Sequence, residues 1–175
     1  MRCRPSCGHR RVQAGKPSAD ASQVPDDLDS HHTPDPAVRR VLVASADAPA
    51  RDLAARTLRR GWFEVTCVSD GLVVLDMLHR GEHDLVVLDA ALPCLGAISL
   101  CRWVRLHGPD RDLPVVVWAH NTEQEATARQ AGASSVIGDP LLPRLLRHRA
   151  TAVLRDRMRA SRWSQGDASR TAVPA

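Results

Sequence analysis

From Arg39 to Arg159 the chain alternates between two hydrophobic rhythms. Val41-Leu42-Val43-Ala44, His83-Asp84-Leu85-Val86-Val87-Leu88-Asp89 and Pro114-Val115-Val116-Val117-Trp118 contain short, nearly continuous apolar runs. Such runs are too short for helices and are bounded by polar or turn residues, which is the pattern of strands covered on both faces. Phe63–Val68 alternates and predicts a further strand, and Ser135-Val136-Ile137 a brief fifth. Helical spacing fills the intervals. Ala50, Leu53, Ala54, Thr57 and Leu58 recur before Gly61, and Val74, Leu75 and Leu78 before Gly81, with Ser69 as the expected cap of that second helix. Ile98, Cys101 and Val104 mark a third helix, and Thr122 with Glu125 reads as a capping box opening an Ala-rich fourth that ends at Gly132. Pro143 suits the first turn of a last helix, expected to run to about Arg159. Strands alternating with helices predict one α/β domain, a five-stranded parallel sheet doubly wound with helices on both faces.

The flanks lack this order. Residues 1–37 are rich in Pro, Ser, Asp, His and Arg and carry almost no aliphatic residues, so they read as a disordered tail. The expected organisation is therefore a tail over 1–37, a domain over 38–159 and a second tail over 160–175. Cys3, Cys7, His9, His31 and His32 lack the paired spacing of a four-ligand zinc site, so no metal is expected there.

Composition narrows the functional classes. Hydrophobic residues make up 43% of the 175, enough for one real core, but with one Phe, four Trp and no Tyr that core must be Val, Leu, Ala and Ile. The formal charge is +4, yet Lys16 is the single lysine among 24 basic residues. An arginine- and alanine-rich composition of this kind weakens any step from charge to a nucleic-acid partner. Five irregularly spaced cysteines argue against a disulfide framework and for a reducing, cytoplasmic setting. There is no apolar run of membrane-spanning length and no apolar core of a signal peptide, so no membrane role is expected. His79, His83, His107, His120 and His148 follow no ligand spacing and read as surface or satisfied core residues. No nucleophile–base pair or Gly-rich phosphate loop accompanies them, so the chain is not expected to be an enzyme.

One residue breaks the pattern. Asp89 ends the central apolar run, and in open α/β sheets ligands gather at the carboxyl ends of strands. With this carboxylate in place, residues from about Arg39 to Arg155 resemble a response-regulator receiver domain, the flavodoxin-like module of two-component (phosphorelay) signalling. Asp89 falls on the phospho-acceptor position and Leu92-Pro93 on the Leu/Met-Pro that follows it. Ser69-Asp70-Gly71 matches the turn into the second helix. Ala131-Gly132-Ala133-Ser134-Ser135 resembles the stretch before the fifth strand, and Asp139-Pro140 stands where the family has Lys-Pro. The resemblance implies a site in which an acidic pair and the acceptor hold Mg²⁺, while a hydroxyl and a lysine contact the phosphoryl group.

Carried onto this sequence, the acidic pair is Ser45 and Ala46, the hydroxyl position is Ala119 and the lysine position is Asp139. Loss of one positioned donor costs on the order of 3 kcal/mol of transition-state stabilisation. At about 4 Å and an effective dielectric of about 20 each unit charge interaction is about 4 kcal/mol, so replacing lysine by aspartate swings about 8. Mg²⁺ favours carboxylate oxygens that Ser45 and Ala46 do not supply. The aromatic that the family turns inward on the fifth strand is replaced by Val136, read as core. The resemblance thus implies a degenerate receiver, a pseudo-receiver acting by protein–protein interaction, with no metal or other cofactor. Mg²⁺ enters only under the alternative that Asp47, Asp89 and Asp139 form a rearranged cation site and Asp89 is still phosphorylated.

Two surfaces are candidates for contact. Leu72 and Val73 lie where the second helix would carry solvated residues. The last helix carries Arg144, Arg147, Arg149, Arg155, Arg157, Arg159 and Arg162 against Asp156. These arginines could meet Glu123 and Glu125 of a second copy through the fourth and fifth helices, or another signalling protein. A nucleic-acid role of this helix is the alternative from a different class, which the lack of a reading motif or stacking platform disfavours. No cognate kinase or partner follows from the sequence.

Overall fold

The computed structural model describes the backbone of residues 38–168 and the side chains of 38–161. The expectations for residues 1–37, including Cys3, Cys7, His9, His31 and His32, lie outside the described residues. Five strands alternate with five helices: β1 Arg39–Ala44, α1 Ala48–Arg59, β2 Phe63–Val68, α2 Gly71–Arg80, β3 Leu85–Asp89, α3 Ala97–His107, β4 Val115–Ala119, α4 Thr122–Gln130, β5 Ser135–Gly138 and α5 Pro143–Ala168. The sheet order is β2-β1-β3-β4-β5 and every pairing is parallel. This is the flavodoxin-like doubly wound topology that the alternation predicts.

Strand periodicity sorts the core into two layers. Leu42, Ala44, Val86, Leu88, Val115 and Val117 pack beneath Val74 and Leu78 of α2, Leu100 and Val104 of α3 and Ala128 of α4. The alternate positions Val41, Val43, Leu85, Val87, Val116 and Ile137 pack against Ala54 and Leu58 of α1 and Leu146, Ala150 and Leu154 of α5. Because β1, β3 and β4 are covered on both sides, their sequences are apolar throughout rather than alternating. Val136 is only half-buried, packed on the α2–α4 side, while Ile137 beside it is fully buried.

Several element ends differ from expectation. The cap of α2 is Asp70, whose carboxylate accepts from the Leu72 N–H at 2.7 Å, and not Ser69. The carboxylate lies one residue nearer the helix and reaches its unpaired amides directly. Likewise α4 is capped by Asn121, which accepts from Gln124 N–H at 2.8 Å, while Gln124 Oε1 accepts from His120 N–H. The cap is therefore Asn121, one residue before the expected Thr122, and the returning bond from Gln124 goes to His120 rather than to the cap itself. The helix α5 continues past Arg159 to Ala168.

Two glycines shape the site end of the sheet. A Cβ on Gly71 would lie 1.9 Å from the carbonyl oxygen of Leu95, so the start of α2 touches the loop after β3 through bare backbone. Gly71 N–H also donates to the Pro93 carbonyl at 3.2 Å. Gly81, with φ of 65°, closes α2 in the left-handed region that favours glycine.

Candidate functional site: an aspartate, a histidine and a second aspartate

The carboxyl ends of β1, β3, β4 and β5 converge on Asp89. It is 4% exposed, so its charge must be met within the protein. Oδ2 accepts a 2.6 Å hydrogen bond from Ser45 Oγ, just past β1. Oδ1 accepts from the Ala91 N–H at 2.8 Å and faces His120 Nε2 at 2.7 Å. Ser45 is itself fixed: its Oγ accepts from the Asp47 N–H at 3.2 Å, and its carbonyl accepts from the Arg51 guanidinium at 2.7 Å.

His120 follows β4 directly. The register pairs Asp89 with Trp118, which places the residue after Ala119 within reach of the Asp89 carboxylate. Its other ring nitrogen, Nδ1, lies 2.8 Å from Asp139 Oδ2. Asp139 Oδ1 in turn accepts from Trp118 Nε1 at 2.6 Å. The rings of Trp118 and His120 are 4.8 Å apart and tilted by 58°, so the indole packs against the imidazole. Asp139 precedes a cis peptide to Pro140. The result is a continuous chain of hydrogen bonds, Ser45–Asp89–His120–Asp139–Trp118, across the site end of the sheet.

This arrangement decides the charge state of the imidazole. A neutral ring donates from one nitrogen only, whereas here both nitrogens face carboxylate oxygens. Partial burial pulls the His120 pKa down, but the hydrogen bonds and charges of Asp89 and Asp139 outweigh it and hold it above the ordinary value of 6.5. The bond from His120, joined by that from Trp118, holds Asp139 below the usual carboxylate range against the opposing effect of burial.

The structure brings some of the expected pocket positions together and leaves others apart. Ser45, Asp89, Asp139 and buried Ala119 gather at one end of the sheet, while Ala46 and Asp47 are exposed at the rim. Asp139 does not face Asp89 directly, because the His120 ring stands between the two carboxylates. His120 is not an incidental histidine: its two ring nitrogens join Asp89 to Asp139. No spacing in the sequence singles it out; its role follows from the register that sets the end of β4 beside Asp89 and from Asp139 on its other side.

The donor set does not fit Mg²⁺. Ser45 and Ala46 offer no carboxylate, Ser45 donates its hydroxyl proton to Asp89, and both Asp89 oxygens are engaged within the protein. Among the described residues no group of three or more His, Cys, Asp or Glu side chains is arranged to hold a metal ion.

The candidate contact surfaces are exposed. Leu72 and Val73 are 58% and 45% accessible. Glu123, Arg144, Arg147, Arg149 and Arg155 are exposed as well. Glu125 is half-buried and already paired with Arg129 one turn on, at 2.9 Å. At 3.6 residues per turn Arg144, Arg155 and Arg159 share the α5 face opposite Leu146 and Ala150, with Arg147 and Arg149 flanking it. Arg157 lies on the inner side and pairs with Asp110. The side chain of Arg162 lies outside those described.

A parallel 2-1-3-4-5 sheet with a buried carboxylate at the end of its third strand defines a class of signalling module. The chain belongs to the response regulator receiver domain family, whose model matches residues 41–151. It is 32% identical over 119 residues to the transcriptional regulatory protein GltR of Pseudomonas aeruginosa, covering 67% of this chain and 49% of that protein. It is 29% identical over 116 residues to the response regulator MprA of a Mycobacterium species, covering 66% of this chain and 50% of the relative. The chain therefore spans about half the length of the curated relatives it matches. Among solved structures it resembles the receiver domain of NtrX from Brucella abortus, with a TM-score of 0.60, 26% identity and coverage of 66% and 98%. It resembles the chemotaxis response regulator CheY4 of Vibrio cholerae in fold, with a TM-score of 0.62, 20% identity and coverage of 66% and 98%. No helix among the described residues is long and apolar enough to cross a membrane.

Proposed function

We propose that this receiver domain works in two-component signalling without the phosphorylation switch, as a cytoplasmic, non-enzymatic module that acts through protein contacts and uses no metal cofactor. The observation that carries the reading is the His120 bridge. A phosphoryl group arriving at Asp89 would need a free carboxylate oxygen and a cation to neutralise it. Asp89 is instead enclosed by Ser45, Ala91 N–H and His120, and the imidazolium is already shared with Asp139. The Ala119 and Val136 positions carry neither a hydroxyl to follow a phosphoryl group nor a ring to rotate.

The contacts are assigned to exposed Leu72 and Val73 and to the arginine face of α5, with another signalling protein or a second copy across α4 and α5 as partner. The test is the intact mass of the protein after incubation with acetyl phosphate and Mg²⁺, beside Asp89→Asn. No gain on either protein supports the reading. Stoichiometric phosphorylation of the wild type alone refutes it and restores the ordinary mechanism of the family.

A further inference from the structure

His120 lies where two independent parts of the fold meet. Its ring is held between Asp89 at the end of β3 and Asp139 after β5, and its backbone N–H is bound by Gln124 Oε1 in the first turn of α4. The residue after it, Asn121, caps that helix. The state of the ring therefore bears directly on how α4 begins.

We propose that the pocket takes a proton as its ligand, and that the proton on His120 fastens the start of α4 to the ends of β3 and β5. With both ring nitrogens protonated, both carboxylates are satisfied. Loss of one proton leaves a single N–H to serve two carboxylates, so one of them faces a lone pair and the bridge opens on that side. The repulsion then falls between Asp89 or Asp139 and the ring nitrogen, and among the described residues no other cation bonds to either carboxylate. Of the elements packed around the ring, the β1–α1 segment presents Ser45 and the rim residue Asp47, and Arg51 is spent on the Ser45 carbonyl. From α4 come neutral Gln124 and Glu125, the latter beside Gly138 and paired with Arg129. From β4 comes the face of Trp118.

Geometry and charge thus make the site a proton sensor in the position where relatives receive a phosphoryl group. This deepens the phosphorylation-independent reading by naming what the pocket binds instead, and the two fail separately. Phosphorylation of Asp89 would refute the earlier reading, whereas only the ring titration decides this one.

The experiment follows the His120 ring nitrogens of the uniformly ¹⁵N-labelled full chain by NMR from pH 5 to pH 9. Expected is a ring protonated on both nitrogens at pH 6, with a midpoint above 6.5. The backbone amides of His120, Gln124 and Glu125 shift with the same midpoint. Their exchange protection is about tenfold higher on the acid side, as loss of one charge-assisted hydrogen bond implies. His120→Arg, which keeps a permanent cation, should hold those amides near their acid-side positions at every pH, and His120→Asn should remove the transition. A ring carrying one proton at pH 6, or α4 amides indifferent to the ring's midpoint in the wild type, overturns the proposal.

Discussion

Ser45 Oγ stands 2.6 Å from Asp89 Oδ2, so the first residue beyond β1 supplies a proton donor to the carboxylate at the end of β3. In a site built for a divalent cation that position would carry an acid and repel Asp89 until the metal arrived. Here it closes the pocket. Ser45→Ala leaves a buried carboxylate oxygen without this donor, at a cost of about 1–3 kcal/mol. Urea denaturation of the two proteins checks the loss. A variant as stable as the wild type would mean the bond contributes nothing net.

On the proposed phosphorylation-independent reading, the residues that close the pocket define the substitutions expected to reopen it. Ser45→Asp, Ala46→Asp, Ala119→Thr, His120→Ala and Asp139→Lys together free Asp89 and return a metal-binding pair, a hydroxyl and a lysine. The combined variant should gain phosphate on Asp89 from acetyl phosphate in Mg²⁺, read as added intact mass that Asp89→Asn abolishes. Omitting Asp139→Lys should slow the reaction by about 10²–10³-fold, the usual effect of losing one positioned donor.

The bridge also fixes a pH window for stability. His120 has its pKa raised above 6.5, so its contribution is fully present below that value and is lost as pH rises through the higher folded pKa. Asp139 has its pKa lowered from 3.8, so its contribution is present above 3.8 and is lost as pH falls through the lower folded pKa. The bridge therefore stabilises most between about pH 4 and 6.5. Denaturation midpoints measured across pH should show this plateau in the difference between wild type and Asp139→Asn. A difference that is flat from pH 5 to pH 9 would contradict it.

The contact of α2 with the loop after β3 yields a steric prediction. Gly71→Ala puts a methyl group into the Leu95 carbonyl and should destabilise by about 1–3 kcal/mol or more. Gly96→Ala meets no atom within 4 Å and should cost under about 1 kcal/mol. Thermal melts of the pair compare the two directly.

How much of this was legible beforehand follows from where the information lies. The strands were readable because β1, β3 and β4 are covered on both faces and their sequences are apolar without interruption. The end of α4 at Gly132 was readable to within two residues, but its start was not, since Asn121–Gln124 and Thr122–Glu125 are overlapping versions of one capping signal. Ser45, Ala46, Ala119 and Asp139 could be placed in the pocket by their distance from strand ends. His120 could not be given its role in that way. A single histidine carries no spacing of its own, and its significance arises only when the parallel register sets β4 beside Asp89 and the turn after β5 brings Asp139 to its other side. Asp139 read by its charge alone gives no hint that its carboxylate is spent on His120 and Trp118.

The 4.8 Å separation of the Trp118 and His120 rings gives the protein an optical read-out of its own. An imidazolium is a good acceptor for an excited indole's electron and a neutral imidazole a poor one, so Trp118 emission should brighten as His120 loses its proton. Trp103 has a similar neighbour in His79 at 4.6 Å, so substituting His79 removes a second ring pair of this kind and leaves the pH-dependent part of the emission to Trp118 and His120. Fluorescence alone could then follow the pocket in dilute solution without a label.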